Sequence, residues 1–281
     1  MRKPIVWATT LAVCLWCAAP TSAQPAGAYL GELTWPEAET RLRTASMVIL
    51  PFGAGAKEHG PHLPLNADQR VMEFLCRLAV DSVDVVVAPP ILHGWFPAFR
   101  AFPGTEVADP EIFRKYVHEV ARSLIRNGAR RIVLLNTGIA TATGLPLAIA
   151  ARELRVESGT PVLVLSWGDL ETEETEDLQS QRTGGHADEL ETSINLYLQP
   201  ELVHLDRSVA DYGADRPRYP GYQPGLYSRD SGDPEHSRTG LTGDPTLATP
   251  EKGQRALEIM SRQWLMALRG FAQTPLHADR R

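Results

Sequence analysis

The chain has 281 residues, 43% of them hydrophobic and 22% charged, the make-up of an ordinary globular protein long enough to enclose one large core. Its formal net charge is -6, and no segment carries a Lys/Arg stripe with interleaved aromatics, so no nucleic-acid partner is expected.

Arg2 and Lys3 form a charged start, residues 5–19 are mostly apolar, and Thr21-Ser22-Ala23 places small residues before Gln24. This order reads as a cleavable signal over residues 1–23. The apolar run is shorter than the roughly 20 residues of a membrane span. Residues 24–281 are therefore expected to form a single exported domain, periplasmic or secreted, with no membrane contact after cleavage. Cys14 and Cys17 fall in the signal and only Cys76 remains, so the mature chain has no intrachain disulfide. Cys76 lies in a helical apolar pattern and reads as core.

Residues 47–50 read as a buried strand, 69–80 as a helix and 83–88 as a second strand closed by Pro89-Pro90. Residues 110–127 form an amphipathic helix ending at Gly128. A strand at 131–135, a helix at 145–156 and a strand at 162–166 follow. Residues 194–198 read as an apolar helix, 211–244 lack periodicity, and 250–271 resume a helical pattern. Strands apolar on both faces, separated by helices, imply a mostly parallel sheet covered on two sides. Such α/β sheets bind ligands beyond the carboxyl ends of their strands. The segments after Leu50, at 136–144 and after Ser166 are therefore the places to look for chemistry.

Glu58, His59, His62 and Asp68 lie within eleven residues just beyond the first of these strands, among Gly and Pro. Imidazole and carboxylate are ligands for zinc, manganese or iron, and a carboxylate such as Asp68 can bridge two ions. Equally, Glu58 and Asp68 could cap helix starts, with the histidines hydrogen-bonded in a loop. A second cluster, Gly184-Gly185-His186-Ala187-Asp188-Glu189-Leu190-Glu191-Thr192-Ser193, starts in a glycine turn and runs into a helix. His186 and Glu191 cooperate only if His186 stands just before the first turn. The alternative is a capped helix, with Thr183 or Asp188 as cap and its acids in water. His93 follows a predicted strand beside Trp95 and Phe96, which suits a substrate pocket, although a lone histidine is more often structural.

Taken together in order, Pro51-Phe52-Gly53, His59-Gly60-Pro61-His62-Leu63-Pro64-Leu65 and Asp68 resemble the opening signature of the creatininase family. Phe102-Pro103-Gly104-Thr105 resembles its glycine-threonine turn. His186-Ala187 with Glu191-Thr192-Ser193 resembles its central signature, and Gly243-Asp244-Pro245 with Ala248-Thr249 and Gly253 its late one. The resemblance spans roughly residues 30 to 270, and several motifs in order are more specific than any one.

The resemblance implies a three-layer α/β/α sandwich with a mostly parallel central sheet, assembled into a homo-oligomer, in which one or two divalent ions (Zn, Mn or Fe) hydrolyse a C–N bond of a small cyclic or linear amide. It implies His59 and Asp68 as metal ligands, Glu191 as a ligand or water-activating carboxylate, and His186 as proton donor or substrate contact. The family has a glutamate two residues before the first histidine. Here Lys57 stands there, and one extra residue after Pro51 suggests a bulge that brings Glu58 to the ligand position. The family's Asn-Gly-His is also missing: the chain reads Asn136-Thr137-Gly138-Ile139-Ala140-Thr141. Three outcomes are open: His93 or His62 completes a second metal, the site holds one ion, or hydrolysis is lost. Thr137 would then hydrogen-bond substrate, as would His62 and His93. A non-catalytic binder on the same scaffold and a metal-dependent lyase or isomerase are the competing readings.

Overall fold

Five strands, β1 (Ala28–Tyr29), β2 (Met47–Phe52), β3 (Val85–Val87), β4 (Ile132–Asn136) and β5 (Val162–Ser166), form one sheet in the order β1-β3-β2-β4-β5. Every neighbouring pair is parallel. The computed structural model describes residues 25–276 apart from 139, 214–227, 231 and 233–235. The expected signal segment lies outside the described residues.

The period-two alternation of side chains on a strand divides the interior in two. In β2, Met47 and Ile49 join one core with Val85, Val87, Val133 and Leu135. Helices α2 (Ala67–Ser82), α6 (Glu189–Leu198) and α7 (Pro250–Ala272) cover that face. Val48 and Leu50 point the other way and join Val86, Ile132 and Leu134. There α1 (Trp35–Thr44), α3 (Pro110–Arg126) and α4 (Ala140–Ser158) close the core. A short helix, α5 (Glu173–Glu176), lies between β5 and α6. The result is a three-layer α/β/α sandwich. Trp264 ties α7 to α2 by donating from Nε1 to the Leu75 carbonyl at 2.9 Å. Among the described residues, no helix is long and apolar enough to cross a membrane.

The expected strands and helices are present, with shifted ends. β2 runs on to Phe52 because it stays in register with β4, Phe52 opposite Asn136. α2 begins at Ala67, which puts Asp68 in its first turn. α6 begins at Glu189, so Glu191 is helical. α4 contains Pro146; a proline within an apolar pattern reads as a boundary, which moves the apparent start of this helix to 145. β1 and α1 are absent from the sequence reading, although Thr34 and Glu37 make the capping box that opens α1.

The sheet order carries the functional consequence. From β2 the chain crosses to β3 on one side, while β4 leads to β5 on the other. The carboxyl ends of β2 and β4 therefore flank a topological switch point, where open α/β sheets leave a crevice for ligands.

Candidate functional site

The segment after β2 sends alternate side chains to opposite sides. Lys57 and His59 converge on Asp68, while Glu58 turns toward His186. The Lys57 Nζ lies 2.7 Å from Asp68 Oδ2 as an ion pair. His59 donates from Nδ1 to the Lys57 carbonyl at 2.8 Å, and its Nε2 lies 2.9 Å from Asp68 Oδ1. All three side chains are buried. Burial alone would raise the Asp68 carboxyl, but the neighbouring Lys57 and His59 outweigh it and hold Asp68 well below the usual carboxylate range. Thr137, at the end of β4, donates to the Asp68 carbonyl at 2.9 Å and the Phe52 carbonyl at 3.2 Å. It thus pins the start of α2 to the sheet.

Lys57, rather than Glu58, faces Asp68, which corrects the expectation of a bulge that brings Glu58 there. Gly60 N donates to Glu58 Oε1, and Glu58 Oε2 lies 3.2 Å from His186 Nε2. Burial raises the Glu58 carboxyl, yet the His186 contacts and the Gly60 N–H bring it below its ordinary value. Space for this carboxylate exists because residue 240 is glycine: a Cβ there would fall 2.3–2.5 Å from it, and Gly240 has φ +74°. Thr105, from the glycine-threonine turn, accepts the Glu58 N–H at 3.0 Å.

His186 stands just before α6, as the helical phase requires. Its Nε2 donates to the Glu58 carbonyl at 2.9 Å. A carbonyl only accepts, so Nε2 carries hydrogen, and Nδ1 faces Glu191 Oε2 at 3.7 Å. Phe99 stacks on the imidazole with centroids 4.1 Å apart. Asp188 caps α6, accepting from Leu190 N at 2.9 Å and Glu191 N at 3.1 Å. Between them Ala187 adopts φ +49°, a conformation costly for a residue with a Cβ, and donates its N–H to Glu191 Oε2 at 2.6 Å. Burial pushes Glu191 up to about 7, against the lowering effects of His186 and Lys57. Its side chain retains 20% exposure.

Lys57, Phe99, Thr137, His186, Asp188 and Glu191 line one cleft of about 780 Å³, together with Trp167, Gln181 and Arg182. Three residues expected to contact substrate are placed differently. His62 is fully buried, with Nε2 2.8 Å from Thr192 Oγ1, and is not among the residues lining the cleft. His93 is exposed and pairs with Glu106 at 2.6 Å. Thr137 reaches the cleft wall, but its hydroxyl is committed to two carbonyls. Of the four expected metal ligands, the structure joins His59 to Asp68, while Glu58 and Glu191 gather around His186. Among the described residues, no three His, Cys, Asp or Glu side chains come together as a metal centre.

The remaining motif positions α6. Thr249 caps α7 by accepting from Lys252 N, and its own N–H donates to Ser193 Oγ at 3.2 Å. Gly253 packs so close to α6 that a Cβ would lie 1.9 Å from the Ser193 carbonyl. Glu189, fully buried, accepts from Ser180 N and Gln181 N, each at 2.7 Å, and pairs with Lys252. Sequence reasoning missed this anchor; the signal available was a second acid beside Glu191 in the first turn of the helix.

Comparison with known proteins places this geometry. The family model for creatinine amidohydrolase matches residues 31–268. The creatinine amidohydrolase of Pseudomonas putida is 31% identical over 250 residues, which are 82% of this chain and 92% of that protein. The mycofactocin precursor peptide peptidase of Mycolicibacterium smegmatis is 29% identical, over 76% of this chain and 81% of that one. A manganese creatininase structure superposes with a TM-score of 0.72 at 28% identity, covering 86% of this chain and 97% of its own; a zinc form of a creatininase variant is similarly close. The chain belongs to the creatininase family, among whose members are a creatinine amidohydrolase and a peptide peptidase.

Proposed function

We propose that the chain hydrolyses the C–N bond of a small cyclic or linear amide held in the cleft, with Glu191 and His186 moving the protons. The observation that carries this reading is the pairing of the two on one cleft wall, with Glu191 pushed by burial to about 7. A carboxyl near neutrality both takes and returns a proton at working pH. Glu191 accepts a proton from water as its oxygen bonds to the carbonyl carbon. The His186–Glu191 pair then returns it to the nitrogen as the C–N bond breaks, because an amine leaves only when protonated. One linear amide and one water give one acid and one amine, and one cyclic amide and one water give a single ring-opened product carrying both groups. Glu58 holds His186 in the orientation that turns Nδ1 toward Glu191.

The manganese and zinc of the solved creatininases supply an activated water and a polarised carbonyl where they bind. In this chain His59 and Asp68 offer two donors, and the Lys57 ammonium stands where a third carboxylate would complete the set. These residues do not fit a metal centre of that kind, and the steps above use the chain's own groups.

The order of charged, apolar and small residues in 1–23 supports action after export. Assembly into a homo-oligomer, carried over from the family resemblance, is checked by light scattering of the mature protein.

The test is a panel of small cyclic and linear amides, with released amine quantified for the wild type, Glu191→Gln and His186→Asn. Release by the wild type that falls at least about a hundredfold in either variant is expected. No release from any amide, with tight binding of one of them, would instead favour a ligand-binding protein on the same scaffold, a reading that the missing histidine at 136–141 also favours.

A further inference from the structure

Lys57 stands two residues before His59, and it is fully integrated rather than turned aside. Lys57 is among the largest fully buried side chains. Its N–H bonds the Leu65 carbonyl at 3.0 Å, its carbonyl accepts from His59, and Phe96 and Phe99 lie 5.9 and 5.7 Å from Nζ. Both Asp68 oxygens are committed, Oδ2 to Lys57 and Oδ1 to His59. A divalent ion bonded to Asp68 would sit about 2.0–2.2 Å from a carboxylate oxygen. With an ammonium already 2.7 Å from Oδ2, the two cations would compete for one place, and a buried site screens their repulsion poorly.

We propose that the Lys57 ammonium is the resident cation of this site, supplying as a side chain the positive charge next to the cleft, so that no divalent ion is held at Asp68. Lys57 lines the cleft together with His186 and Glu191. It is therefore the fixed cation placed to stabilise negative charge on a substrate carbonyl, as preorganised charges do in water-poor sites. That polarising role rests on the hydrolase reading; the exclusion of metal at Asp68 does not.

The experiment is calorimetric titration of MnCl₂ and ZnCl₂ into the wild-type chain, Lys57→Glu and Asp68→Asn, with elemental analysis after metal-replete expression and dialysis. The wild type is expected to retain no stoichiometric ion. Lys57→Glu, with a carboxylate restored beside His59 and Asp68, is expected to gain about one ion per chain and to rise in Tm when manganese is added. One tightly held ion per wild-type chain that Asp68→Asn loses would overturn the proposal. If Lys57→Glu does not fold, the wild type and Asp68→Asn decide the matter alone. Amide turnover that a chelator abolishes and manganese restores would also overturn it. Absence of turnover under every condition would defeat the hydrolase reading and leave the titration to decide metal exclusion.

Discussion

His62 makes the fold acid-sensitive in a way that can be calculated. It is fully buried, its Nδ1 has no hydrogen-bond partner, and its Nε2 meets Thr192. Burial pushes the imidazole down to about 4 from an ordinary 6.5, with a smaller raising effect from Glu58 and further lowering from His59 and His186. The folded state thus binds this proton less readily than the unfolded chain, and stability falls as pH drops from 6.5 toward 4. Linkage across that window gives a loss of about 2 kcal/mol between pH 7 and pH 5 from this one group. Urea unfolding at pH 7, 6 and 5 measures it. His62→Gln lowers stability at every pH but removes the titrating group, so its loss between pH 7 and pH 5 should be smaller than the wild type's by about 2 kcal/mol. Equal losses in the two proteins would refute the assignment of His62 as a buried neutral imidazole.

Glu191 gives activity an acidic limb: turnover should rise as pH passes through about 7, where the carboxyl loses its proton and becomes a base. Glu191→Gln should be slow and flat over the same range, and a wild-type profile flat from pH 6 to 8 would contradict the role. Gly253→Ala forces a Cβ onto the Ser193 carbonyl. It should destabilise by roughly 3 kcal/mol or more, since overpacking against backbone relaxes less than against side chains; an unchanged denaturant midpoint would contradict the packing. Thr137→Val keeps shape but removes the hydroxyl that serves the Asp68 and Phe52 carbonyls. A loss of about 1–3 kcal/mol in thermal unfolding is expected, and none would mean the hydroxyl holds nothing.

How far the chain could be read depends on whether a feature is local. The parallel sheet was legible because β2, β3 and β4 are apolar on both faces, and their burial between helix layers requires that. Helical phase made the pairing of His186 with Glu191 conditional: residues five apart share a face only across a helix start, and the start of α6 at Glu189 meets that condition. The direction of Glu58 and Lys57 was not legible. In an irregular segment one residue's shift exchanges which side chain faces Asp68, and the choice is made by partners distant in sequence, Gly240 and His186 on one side and Asp68 on the other. His62 and Thr137 looked like substrate contacts for the same reason: the groups that engage them, Thr192 and the Phe52 carbonyl, are remote in the chain. Glu189 was hidden because its partners, the 180–181 backbone and Lys252, meet only after α6 packs on α7.

The most direct test of the proposed chemistry is a mass-spectrometric screen of small cyclic and linear amides with chelator-treated wild-type protein in ¹⁸O-water. Hydrolysis by the cleft's own groups should place one solvent oxygen in the carboxylate product for each amine released, with no metal added. A product that is rearranged without solvent oxygen, or turnover that appears only when a divalent ion is returned, would contradict it.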